Sequence, residues 1–178
     1  MIRLFAALPI PESIGAALAQ RQAGLDGARW RPVDSLHVTL RFYGELREDI
    51  ARDLDGELAA ISMPPFDITL EGAGAFGDGD DIHAIWAGVA ANPELVRLAK
   101  ACESAARRVG LQSERRAYRP HVTLAYLRRP DPTHVARWIQ ANNLLKSPPI
   151  RVESFALYSS FLGREGAHYR VEAEYPLG

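Results

Sequence analysis

The chain has 178 residues, 47% of them hydrophobic and 24% charged, a balance that fits an ordinary folded domain and excludes a disordered or fibrous polypeptide. Its 21 basic and 22 acidic side chains leave a net charge of -1, which excludes a protein that coats a long nucleic-acid backbone; RNA, if bound, is met locally at an end. A single cysteine, Cys102, rules out an internal disulfide, and no apolar stretch approaches the roughly 20 residues of a membrane-crossing helix.

Ile2 to Leu8 is short, apolar and closed by Pro9 and Pro11, the pattern of a buried strand. A helix opens at Glu12 or Ser13, with Ile14, Ala17, Leu18 and Leu25 at helical spacing, and Leu36 to Tyr43 reads as a strand stopped by Gly44. Ile50, Leu54, Leu58 and Ile61 put one apolar face on a helix over 48–61 that ends before Pro64-Pro65. Phe66 to Leu70 alternates as a strand, and Gly72 to Asp81 reads as a glycine- and aspartate-rich turn around Phe76. The order then repeats: a strand over 82–89, a helix over 93–109 holding Cys102 as a small buried hydrophobe, and a strand over 118–127. A helix over 132–141 and strands over 150–160 and 168–175 complete the chain.

Two units of strand, helix, strand, helix, strand predict an α+β fold: one domain over 1–178 built from two pseudo-symmetric lobes, about 1–77 and 82–178, whose two antiparallel sheets face a central cleft with helices outside. Asp78-Gly79-Asp80-Asp81 lacks the downstream glutamate of a calcium loop and reads as a polar hairpin or the connector between lobes. Met1 runs almost directly into the first strand without a charged and apolar leader, so the expected location is the cytoplasm.

Each half carries the same tetrapeptide, His37-Val38-Thr39-Leu40 and His121-Val122-Thr123-Leu124. On a strand, alternation sends each His and Thr to one face and each Val and Leu to the other, beneath the helices. One such histidine alone would read as a satisfied core or surface residue; duplication about a pseudo-twofold axis reverses that. Two imidazoles, each with an ordinary pKa of about 6.5, supply the base and the acid for in-line displacement at phosphorus without a metal ion to make hydroxide. Thr39 and Thr123 donate to non-bridging phosphate oxygens as charge develops there. Neither copy carries the Cys, Asp, Glu or second His spacing of a zinc site, so no metal and no organic cofactor is expected. His83, His134 and His168 have no repeated partner and read as structural or surface residues.

The chain also resembles a known family, the two-histidine phosphoesterases, and within it the bacterial and archaeal RNA 2',3'-cyclic phosphodiesterases, or 2'-5' RNA ligase-like proteins. The resemblance is carried by 3–8 (RLFAAL), 36–46 (LHVTLRFYGEL), 119–125 (RPHVTLA) and the closing segment from Leu157 to Leu177. It implies hydrolysis of a terminal 2',3'-cyclic phosphate to a 2'-phosphate, with His37 as proton donor to the 3' oxygen and His121 as proton acceptor from water. The residues themselves leave that order open, because the two motifs are identical. It also implies weak reverse joining of RNA ends through the same residues. Members often carry an arginine two residues after the leucine of the second motif, where this chain has Tyr126.

Arg128, Arg129 and then Arg41 are the candidates for the missing phosphate-binding cation, Arg41 because alternation continues it on the face of His37 and Thr39. Tyr126 is also a substrate-binding candidate, since Phe42, Tyr126 and Tyr158 could stack on a base, but Tyr126 and Phe42 share parity with Val122 and Val38, which points them away from the cleft and into the core unless a strand bulges. The expected partner is an RNA 3' end or a nucleoside cyclic phosphate, met by a monomer that needs no protein partner and no membrane. Two alternatives keep the cleft: hydrolysis of an ADP-ribose cyclic phosphate or a 2'-5' oligonucleotide, and a binding module that holds a nucleotide or RNA end without turning it over.

Overall fold

The computed structural model describes residues 1–164 and 166–178. Strands β1 (Ile2–Pro9), β2 (Arg29–Trp30), β3 (His37–Leu46), β4 (Phe66–Ile68), β5 (Leu70–Phe76), β6 (Ala84–Val89), β7 (His121–Tyr126), β8 (Ile150–Val152), β9 (Ser154–Gly163) and β10 (Gly166–Pro176) alternate with helices α1 (Glu12–Ala19), α2 (Glu48–Ala59), α3 (Pro93–Arg108) and α4 (Pro132–Ala141). The two helices with proline at their first turn are capped as their sequences dictate: Asn92 accepts from the Leu95 amide at 2.9 Å and Asp131 from the Thr133 amide at 2.9 Å.

The α+β class, the antiparallel pairing and the outer helices are as expected. The facing sheets are two arms of one eight-stranded sheet in the order β10-β9-β1-β3-β7-β6-β5, with β2 added to β7, and β4 and β8 form a small second sheet. The arms meet at one pair, Val38 opposite Val122. Each arm draws on both halves of the chain, since β9 and β10 close the arm of β1 and β3, while β5 and β2 join β6 and β7.

The glycine-rich segment departs from its expectation. Gly72 and Gly74 lie inside β5 rather than in a turn, and the connection from β5 to β6, residues 77–83, holds the short 3-10 turn Gly79–Asp81. A Cβ on Gly74 would fall 2.4 Å from the Trp86 ring, so its missing side chain is the space the indole occupies.

The face to which Val38, Leu40, Val122 and Leu124 point is the core, closed by Leu54 and Leu58 of α2, Leu95, Leu98 and Cys102 of α3, and Val135 and Trp138 of α4. Cys102 is buried there, as expected, with burial pushing its thiol up to about 12. A cavity of about 670 Å³ between α1 and α4 lies on this helical side and touches none of the motif residues. Among the described residues no helix is long and apolar enough to cross a membrane.

Candidate active site

The pair Val38–Val122 is the local pseudo-twofold centre of the motifs. Antiparallel register carried one step to either side sets His37 across from Thr123 and Thr39 across from His121, all four half-buried on the face opposite the core. Identical sequences on antiparallel neighbours thus place one imidazole and one hydroxyl at each end of the same short cleft.

Each imidazole is oriented in the same way. The Nδ1 of His37 lies 2.7 Å from the Ser35 carbonyl, and that of His121 lies 2.6 Å from the Arg119 carbonyl. A carbonyl only accepts, so Nδ1 carries the proton in both neutral rings and Nε2 is left bare for the cleft. Gly15 of α1 contributes from a distance: a Cβ there would fall 2.6 Å from Val33 Cγ1, so its absence lets α1 press on the turn that presents the Ser35 carbonyl.

Both rings sit in aromatic brackets. His37 lies 4.9 Å from Phe5, 5.2 Å from Tyr169 in an edge contact and 6.4 Å from Tyr158, measured between ring centres. His121 lies 4.7 Å from Phe76, edge to face, and 6.2 Å from Trp86. Such walls remove water from the rings and disfavour the imidazolium. His37 is accordingly pushed down to about 4, by burial first, while the Ser35 carbonyl opposes the shift and the charges of Arg31 and His121 add to it. Burial also lowers His121, with the Arg119 carbonyl opposing and the Arg119 charge adding to it. The unliganded site therefore holds two neutral histidines at pH 7.

The alternation expected to carry Arg41 along the cleft face is broken. The β1–β3 ladder pairs Ala7 with Thr39 and Ala6 with Arg41, leaving Leu40 as a bulge. Parity flips there: Arg41 turns to α3, where it pairs with Glu103 and donates to the Gln112 carbonyl at 2.7 Å, while Phe42 turns out to 49% exposure. The second motif repeats the device. Trp86 pairs with Thr123 and Ile85 with Ala125, so Leu124 is bulged and Tyr126 emerges on the cleft side, 38% exposed. The expectation that Phe42 and Tyr126 point into the core is thus overturned by a bulge at the same position of each motif. Arg128 and Arg129 occupy the exposed turn after β7, Arg129 with φ 46°, and among the described residues neither forms an ion pair.

Several cleft residues were not legible in the motifs. Arg31 lies 5.6 Å from the Tyr126 ring centre and 5.5 Å from that of Tyr169, and Arg119 lies 5.2 Å from Phe76 and 6.0 Å from Trp86. Tyr118 donates to the Thr39 carbonyl at 2.8 Å and so ties the loop before β7 to the first motif. His83, expected to be structural, is stacked on Phe76 at 6.4 Å and thereby backs the wall of His121. Among the described residues no three His, Cys, Asp or Glu side chains gather into a ligand set.

Comparisons with known proteins bear on the family and on the fold. The family described as the 2'-5' RNA ligase superfamily matches residues 10–162. The chain belongs to that superfamily. Within it, the RNA 2',3'-cyclic phosphodiesterase of Escherichia coli (strain K12) is 30% identical over 177 residues, covering 94% of this chain and 92% of the relative. The enzyme of the same name from Aeropyrum pernix is 33% identical over 141 residues, 78% of this chain and 80% of its own. Among solved structures, TT0787 of Thermus thermophilus superposes with a TM-score of 0.81 at 27% identity, covering 98% of this chain and 97% of that one. E. coli LigT complexed with 3'-AMP superposes at 0.80 and 27% identity, covering 99% and 98%.

Within this superfamily member the indole of Trp86 depends on Gly74 for its seat. Gly74→Ala is expected to push the indole from β5 and loosen the wall of His121, costing about 1–3 kcal/mol of stability by overpacking. Urea denaturation with tryptophan fluorescence measures both effects; an unchanged midpoint and emission would show that β5 yields without moving Trp86.

Proposed function

We propose that the protein is an RNA 2',3'-cyclic phosphodiesterase that converts terminal 2',3'-cyclic phosphates to 2'-phosphates by acid/base catalysis from His37 and His121, with no metal. The observation that carries this reading is the pair of bare Nε2 atoms, one from each motif, on opposite sides of the Val38–Val122 centre. The two relatives from E. coli and Aeropyrum pernix carry that activity in their names, and the structural neighbour E. coli LigT is seen with 3'-AMP bound.

In this mechanism water attacks phosphorus as His121 Nε2 takes its proton. The P–O3' bond breaks on the opposite side, and His37 Nε2 delivers a proton to the departing 3' oxygen. Thr39 and Thr123 donate to the non-bridging oxygens, and their placement across from the opposite histidine lets both reach one phosphate. With a 5'-hydroxyl in place of water as the nucleophile, the same steps break P–O3' and form a 2'-5' phosphodiester, so weak ligase activity is expected through the same residues. The substrate is an RNA 3' end or a nucleoside cyclic phosphate, and the protein acts as a monomer in the cytoplasm.

The low free-protein pKa values set the pH dependence. Turnover needs one protonated and one neutral imidazole; below the lower pKa both are charged and no base exists, and above the higher both are neutral and no acid exists. Both values lie below 6.5, so kcat/KM is expected to be bell-shaped with its maximum on the acid side of pH 6.5. The bound phosphodiester anion favours imidazolium, so the kcat profile is displaced to higher pH.

The direct test is hydrolysis of each nucleoside 2',3'-cyclic phosphate in chelator across this pH range, with the product isomer identified. Chelator-insensitive release of the 2'-phosphate alone is the expected result. Inactivity on mononucleotides and on a cyclic-phosphate-ended RNA, with tight binding of the 2'-phosphate, would replace the enzyme by a binding module.

A further inference from the structure

Arg31 is a half-buried cleft cation whose guanidinium is largely unsatisfied. Its backbone is pinned to the second motif strand: the Arg31 amide donates to the Leu124 carbonyl at 2.8 Å, and Gln22 Nε2 donates both to the Arg31 carbonyl at 2.9 Å and to the Leu124 carbonyl at 3.0 Å. Its side chain lies between Tyr126 of β7 and Tyr169 of β10, one ring from each arm of the sheet. The Tyr169 ring in turn touches His37. The site is thus built by three separate segments.

A guanidinium has five donors. Among the described residues the Arg31 guanidinium makes one hydrogen bond, a long one to the Ala167 carbonyl at 3.5 Å, and no carboxylate among them lies within ion-pair distance. Arg41 offers the contrast, since Glu103 neutralises it. A half-buried cation flanked by aromatic faces and left without an acid is stable only with its donors turned to solvent or to an anion. The cleft that it borders is the one between His37 and Thr123.

We propose that Arg31 binds the phosphate held between the two histidines, and that Tyr126 and Tyr169 are the positioning residues that clamp its guanidinium at the His37 end of the cleft. This rests on the phosphodiesterase reading for the identity of the anion, but not for its chemistry: the site takes a tetrahedral phosphate oxyanion. Bidentate donation from a planar fork suits two non-bridging oxygens, and the two tyrosine faces remove the rotamer freedom that an exposed arginine would lose on binding. Tyr126 is then not an interruption of the phosphate site but part of its support, reached because Leu124 is bulged. The same positive charge adds to the depression of His37 in the empty cleft, and a bound phosphate reverses it.

The test is equilibrium binding by calorimetry of adenosine 2'-monophosphate, inorganic phosphate and adenosine to the wild-type protein, Arg31→Gln, Arg31→Lys and Tyr126→Phe. Charge-assisted hydrogen bonds of this kind correspond to about 10–100-fold in affinity. Arg31→Gln is expected to weaken adenosine 2'-monophosphate and inorganic phosphate by that factor and to leave adenosine unchanged. Arg31→Lys should recover part of the loss, and Tyr126→Phe, which keeps the ring, should retain most of the wild-type affinity. Arg31→Gln should also move the acid limb of kcat/KM to higher pH, which a purely structural clasp would not do. Wild-type affinity for both phosphates in Arg31→Gln, or no phosphate binding by the wild type, overturns the proposal. Should cyclic phosphates not be hydrolysed at all while Arg31→Gln still loses phosphate binding, the phosphodiesterase reading fails and the assignment of Arg31 stands.

Discussion

Replacing either histidine is expected to abolish most turnover: His37→Asn and His121→Asn should each lower kcat by roughly 10²–10⁴, with KM changed far less. The reasoning is positional. Each ring is fixed through Nδ1 by a backbone carbonyl two residues upstream, so Nε2 is the only imidazole atom available to a substrate proton. Asparagine keeps a polar side chain of similar reach but has no group that gains or loses a proton near neutral pH. Because the two rings serve one displacement, the double variant should be little worse than either single one, a non-additivity that independent binding residues would not show. Initial rates on a nucleoside 2',3'-cyclic phosphate under saturating conditions decide the matter. A single variant that keeps kcat within about tenfold of wild type would place the proton transfers on other groups, with His83, which stacks on the Phe76 ring that also flanks His121, the first to replace.

What the sequence makes legible is whatever depends on local pattern. The helices α2, α3 and α4 follow from apolar spacing and from proline at the first turn, and β3 and β7 follow from alternation within the repeated motif. Alternation placed His37, Thr39, His121 and Thr123 on one face correctly for as long as the ladders stay regular, four residues in each copy. It failed at the next residue. Whether a strand bulges at Leu40 or Leu124 is decided by its neighbours β1 and β6, and neither ladder is visible in a single stretch of sequence. That one irregularity moves Arg41 to α3, brings Tyr126 to the cleft, and leaves Arg31, which no motif marks, as the cation beside it. Gly74 is illegible for a related reason. A glycine in a strand and a glycine in a turn look alike until the residue above it, here Trp86, is known.

The same histidines that serve catalysis should cost the fold stability in acid. His37 has a folded pKa of about 4 against about 6.5 in the unfolded chain, so between those values the unfolded state binds a proton that the folded state refuses. The sign follows: the contribution is complete above pH 6.5, is lost as pH falls toward 4, and changes no further once the ring is charged in both states. At about 1.4 kcal/mol per pKa unit the loss is on the order of 3 kcal/mol, and His121 adds to it in the same direction. Asp49, held down to about 2 by its hydrogen bond with Arg47, titrates below this window and does not mask the effect. Urea denaturation of wild type and His37→Phe at intervals from pH 7 to pH 4 measures it. The phenylalanine fills the bracket of Phe5, Tyr158 and Tyr169 but takes up no proton, so the wild type is expected to lose more stability than the variant over that interval. Parallel curves would mean that His37 is as free to ionise in the folded protein as in the unfolded one. Inorganic phosphate sharpens the comparison, because an anion seated between the imidazoles stabilises their charged forms. With phosphate present the wild-type loss should shrink while the variant's hardly changes, which is the equilibrium counterpart of the proton that the substrate draws onto His37 before the P–O3' bond breaks.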